Sequence, residues 1–115
     1  MNTFCYRLSA LVESAKNLQQ IRKTDVASGD RIFVRTTNSL YSIRVIEGDQ
    51  CIVEGGWFDR KGVSPLKTSI KGCTWGGSAI KMDIIAACGL CVEFGNRVVT
   101  TSIRKIFVLP HIIEN

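Results

Sequence analysis

The side chains able to do chemistry are few: five cysteines, one histidine and ten carboxylates. Cys88-Gly89-Leu90-Cys91 has the CxxC spacing of half a zinc site or of a redox pair. A structural zinc needs four ligands. Cys51, Cys73 and His111 are the remaining donors of interest, and none stands at a standard spacing. In an extended segment positions 88 and 91 point to opposite faces. A redox thiol wants a helix N-terminus to lower its pKa, yet VEFGNRVV, which follows, is strand-like. The cysteines therefore read as small buried hydrophobes, and no metal or cofactor is expected. His111 lies in the C-terminal tail, and no nucleophile and orienting group can be matched to it. Glu54 and Asp59 flank a loop, but paired carboxylates catalyse only when their environments split their pKa values. No catalytic residue is assigned, and an enzyme using Glu54, Asp59 or Cys73 is the least supported class.

A different pattern is better supplied. Trp57, Phe58 and Trp75 sit on glycine-rich loops, close in sequence to Arg60, Lys61, Lys67, Lys71 and Lys81. Aromatic rings stack on bases, and cations follow phosphates. These residues form the candidate binding set, although loop tryptophans also serve as plugs over the end of a barrel. The glycine-rich stretch Gly72 to Ser78 fails the phosphate-loop pattern. That pattern needs Lys and Ser or Thr directly after its last glycine, whereas here Ser78 follows Gly77 and Lys81 comes three residues later.

The elements that must position these residues are mostly strands. Between Asp30 and Gly56, Arg31, Phe33 and Arg35 alternate with Ile32, Val34 and Thr36. Tyr41, Ile43 and Val45 oppose Ser42 and Arg44, and Ile52 opposes Cys51 and Val53. Period two places each set on one face of a sheet. The turns Thr37-Asn38-Ser39 and Glu47-Gly48-Asp49 are too short for anything but antiparallel neighbours. The stretch is thus a meander of three strands, with Arg31, Arg35 and Arg44 on its exposed face.

Before the meander, Phe4, Leu8, Leu11, Ala15 and Leu18 recur at helical spacing, widened by Val12 and Ile21. An amphipathic helix is expected over residues 3–22, packed on the sheet or used for self-association, with a polar connector over residues 23–29. After the meander, Gly55 to Pro65 is expected to be loop. Leu66, Thr68 and Ile70 then alternate with Lys67, Ser69 and Lys71 as a strand with one basic face. Residues 79–87 suit either a strand or a helical turn. Leu90 to Phe94 and residues 97–101 flank Gly95-Asn96, a pair that favours a primed two-residue hairpin turn. A closing strand runs from Ile103 to Leu109, ended by Pro110, which cannot donate to a ladder.

A chain of 115 residues suits one domain, 1–115, with a β-rich body over 30–110 and a tail over 111–115. Its net charge of +5 favours anionic partners at long range. No apolar run approaches the roughly 18 residues of a membrane helix, and MNTFCYRLSA lacks the plan of a secretory signal. A cytoplasmic protein with no membrane association is expected.

GDRIFVRT, SLYSIRVIEGDQCIVEGG and the closing RKIFVLP resemble in general architecture the small SH3-like and OB-like barrels. The resemblance implies a fold and carries neither a function nor a site residue. The expected fold is mainly β: an N-terminal amphipathic helix, then a small antiparallel barrel or sandwich. The expected function is a non-catalytic binding or assembly module whose partner is a protein or a second copy of the chain. The alternative is a nucleic-acid-binding β-barrel using the loop aromatics and cations.

Overall fold

The computed structural model describes residues 18–75 and 80–110. It is mainly β, organised as a curled antiparallel sheet that forms half a barrel. The expected meander is its centre: β2 (Arg31–Thr36), β3 (Leu40–Glu47) and β4 (Gln50–Gly55). Ile32 pairs with Ile43, Val34 with Tyr41, Ile43 with Val53 and Val45 with Cys51. This register keeps every one of these side chains on the inner face, where all are buried. A slip of one residue would turn the set outward.

β9 (Ile103–Leu109) returns beside β2, pairing Val34 with Ile106 and Phe33 with Phe107. On the other side of the meander, the long β5 (Leu66–Thr74) pairs with β4 through its first half. Its second half pairs with β8 (Cys91–Phe94) and with the two-residue β6 (Ile80–Lys81). β5 changes course at Gly72, whose φ is +152°. A Cβ there would run into the Lys81 carbonyl oxygen, so the close approach of β6 depends on glycine.

The expected helix over 3–22 requires correction at its end. Residues 3–17 lie outside the described residues. Gln20–Arg22 is a strand, β1, paired with β7 (Ile84–Ala87) in a small second sheet. Short apolar runs fit either period, and hydrogen bonding decides the matter here. The Leu18 N–H donates to the Ile106 carbonyl and the Cys88 N–H to the Gln19 carbonyl. Residues 18–22 thus bridge β9 and β7, satisfying backbone groups that a helix would leave open. A single 3-10 turn, Lys23–Asp25, follows. The gap between the ends of the sheet narrows further where Ile103 exchanges backbone bonds with Gly89 and Leu90, at 2.9 and 2.8 Å.

Three other expectations are refined. Residues 80–87 are two short strands around Met82–Asp83. The segment after Gly55 is not all loop, since Gly56–Arg60 forms one helical turn, α1. Gly55 and Gly56 have φ of +97° and +46°, and a Cβ on Gly56 would collide with the Tyr41 ring. The Asp59 carboxylate accepts from the Gly55 N–H at 2.9 Å and holds the turn closed. The hairpin after β8 closes through a three-residue loop, because the Phe94 N–H reaches the Val98 carbonyl and Arg97 takes φ of 69°. The returning residues make only an isolated bridge, Glu93 to Val99.

Inside the half-barrel, Tyr41, Phe58 and Phe94 meet edge-on or tilted, with ring centroids 5.2–6.2 Å apart, a favoured aromatic geometry. Among the described residues no helix is long and apolar enough to cross a membrane.

Candidate functional site

The candidate binding residues divide among three places. Phe58 is wholly buried in the aromatic core, so its ring is unavailable for stacking on a ligand. Trp57, half-buried, packs edge-on against Phe58 at 5.3 Å. Its backbone N–H, not the indole, donates to the Tyr41 hydroxyl at 3.3 Å. Arg60 and Lys61 stand exposed at the end of the same helical turn. Trp75 lies just past the far end of β5 and is 58% exposed, with the Lys81 ammonium 5.3 Å from its ring centroid. Because Val53 pairs with Leu66, Trp57 sits near the start of β5 and Trp75 near its end. The structure does not join the two tryptophans in one site. Lys67 is exposed at the second position of β5, where it pairs across with Ile52. Lys71 leans toward Glu93, with Nζ and the carboxylate 3.8 Å apart.

A second constellation forms around the β2–β3 turn. An open cleft of about 510 Å³ is lined by Arg35, Thr36, Thr37, Asn38, Ser39, Leu40 and Arg104. The turn is well braced. The Thr36 N–H donates to the Ser39 carbonyl at 2.8 Å, and the Thr37 N–H to the Ser102 carbonyl at 3.0 Å. The Ser39 N–H donates to the Thr36 hydroxyl at 3.1 Å. Two arginines reach in from elsewhere in the chain. Arg104 Nε donates to Thr37 Oγ1 at 3.3 Å, and an Arg60 terminal nitrogen donates to Ser39 Oγ at 3.1 Å. The register of β2 and β9 sets Lys105 opposite Arg35. No carboxylate is among the cleft's described lining residues. The turn thus gathers guanidinium groups from three parts of the chain around a set of hydroxyls.

The sequence marks Arg60 on its loop and Arg35 on an exposed face. It does not mark Arg104, and in it Thr37-Asn38-Ser39 reads as a turn alone. The missing information was the pairing of β2 with β9, which brings Arg104 beside residues far earlier in the chain.

The cysteines form a different picture from a reactive site. Burial pushes the Cys51 thiol up to about 12 and the Cys73 thiol up to about 11, the nearby Cys91 adding to the second. Burial also raises Cys88. Cys73 donates weakly to the Ile85 carbonyl at 3.4 Å and Cys88 to the Leu18 carbonyl at 3.4 Å. A thiol this far above neutrality is not a nucleophile, because the thiolate is the reactive form. Among the described residues no group of three or more His, Cys, Asp or Glu is placed to hold a metal ion. Glu54 pairs with Ser42 on the outer face, and Asp59 is occupied by the Gly55 N–H. His111 lies outside the described residues. Comparison with protein-family models, curated proteins and solved structures finds no match for this chain.

Proposed function

We propose that this chain is a small non-catalytic binding and assembly module whose partner is a protein surface, a second copy of the chain first among them. The observation that supports this is the β5–β6 hairpin. Trp75 and Met82 are 58% and 66% exposed, and Ile80 beside them is also exposed. Large apolar side chains gathered on one exposed element mark interaction sites. β6 also ends the strand order of its sheet, and an end strand offers backbone groups for pairing with another chain. A second copy presenting the same hairpin would make a self-complementary two-fold contact. Light scattering across a wide concentration range tests it. The expected result is a mass that rises toward the dimer, and a strict monomer at high concentration would remove self-association.

A second reading, binding of single-stranded nucleic acid, is supported by the arginines around the β2–β3 turn and by the Lys81–Trp75 pair. Titration with single-stranded DNA and RNA at low and raised salt tests it. A contact made through phosphates must strengthen as salt falls, so absence of binding at low salt sinks this reading.

A further inference from the structure

We infer that the cleft at the β2–β3 turn is a binding site for a phosphate group carried on a sugar. It uses the same arginines as the nucleic-acid reading and is independent of the assembly reading, and a free sugar phosphate satisfies it without any nucleic acid. Four observations converge. The cleft's volume, about 510 Å³, falls within the usual range for small-ligand sites, roughly 300–1,000 Å³. Its charged lining is cationic, Arg35 and Arg104, with Arg60 hydrogen-bonded to the Ser39 at its rim. Guanidinium forks match the spacing of phosphate oxygens, and cations arriving from separate directions suit a tetrahedral dianion better than a planar carboxylate.

The third observation is preorganisation. Thr37 and Ser39 each hold one arginine in place, and the turn bearing them is fixed by backbone bonds to Ser102 and within itself. Ordering that is complete before the ligand arrives is not charged against its affinity. The fourth is what the lining lacks. Thr37, Asn38 and Ser39 offer hydroxyl and amide groups, and among the described lining residues Leu40 is the one apolar side chain and none is aromatic. Such a wall complements sugar hydroxyls and, among its described residues, offers a base no aromatic ring to stack on. A nucleotide unit would therefore be held by its sugar-phosphate part, which positions a strand without reading its sequence.

The test uses the full chain, nitrogen-15 labelled, titrated at low salt with ribose 5-phosphate and, as a neutral control, with ribose. The expected result is saturable amide shifts confined to residues 35–40 and the neighbourhood of Arg104, with none from ribose. Arg60→Gln and Arg104→Gln together weaken binding by roughly tenfold or more, the loss of charge-assisted bonds. Arg22→Gln, an exposed cation on β1, leaves the affinity unchanged, and circular dichroism checks that each variant is folded. Oligothymidylate distinguishes the source of the phosphate. If it shifts the same amides and displaces ribose 5-phosphate, the site takes a nucleic-acid backbone; if it does not compete, the site takes a free sugar phosphate. Failure of both ligands to shift these amides saturably at low salt overturns the inference. So does binding that survives the arginine replacements undiminished.

Discussion

Phe58→Ala is the substitution that best separates framework from binding surface. By sequence Phe58 stands beside Trp57 on a loop, a natural stacking pair. In the structure its ring is fully buried and lies 5.2 Å from Phe94, 6.2 Å from Tyr41 and 5.3 Å from Trp57, all edge-on. Truncating a buried phenylalanine costs about 3–5 kcal/mol in lost transfer energy and residual cavity. The broken aromatic pairs, at about 0.5–1.5 kcal/mol each, place this site toward the upper end. Urea unfolding of a small domain has a slope of about 1–3 kcal/mol per molar, so the midpoint should fall by roughly 2 M. A small domain holds only about 5–15 kcal/mol in total. Phe58→Leu, which conserves more volume and should cost about 1.5 kcal/mol, therefore keeps the measurement feasible if the alanine variant unfolds. A loss under about 1 kcal/mol for Phe58→Ala in a folded protein would refute the burial of this ring. Weakened ligand binding with stability intact would return it to the surface.

Other outcomes follow from the same geometry. Gly56→Ala forces a Cβ into the Tyr41 ring at a φ of +46°. It should cost on the order of 1–3 kcal/mol, read as a lowered midpoint in thermal or urea unfolding. Thr100 is buried, and its hydroxyl accepts from the Val92 N–H at 3.0 Å while donating to the Thr101 carbonyl at 2.8 Å. Thr100→Val should cost about 1–3 kcal/mol and speed hydrogen exchange at the Val92 amide. Cys51 and Cys73 should resist a thiol reagent at mildly alkaline pH until the protein unfolds. Their folded pKa values, about 12 and about 11, lie above the ordinary 9.0. Above pH 9 the unfolded chain therefore sheds protons that the folded chain retains, and stability falls as pH rises toward 11. Cys51→Ala should flatten that decline, and an unchanged slope would contradict the burial of its thiol.

Much of the fold was legible because it is local. The Ile32–Val34 and Tyr41–Ile43–Val45 alternation and the two short turns fix a meander without reference to the rest of the chain. Non-local pairing was not legible. Nothing near Leu18 or Ile21 announces that they meet Ile106 and Ala86, so a helical spacing there outran a strand that only β7 and β9 demand. The same limit applied to the candidate site. Trp57 and Trp75 looked equivalent in sequence, yet the length of β5 keeps them apart. Arg35 and Arg104 looked unrelated, yet the pairing of β2 with β9 brings them to one cleft. Phe33 shows the reverse difficulty. It alternates with the core residues and so belongs to the outer face, yet it is only 1% exposed and stacks on Phe107 at 5.9 Å. Alternation assigns a face to a residue, whereas its exposure depends on what covers that face.

The measurement that bears most directly on an assembly role is a series of nitrogen–proton correlation spectra of the full chain, from dilute to concentrated. Association through the β5–β6 hairpin predicts shifts that grow with concentration at Trp75 and at Ile80 to Met82, including the Trp75 indole, and that vanish in Trp75→Ser. Spectra that do not change with concentration, or shifts centred on another face, would contradict it.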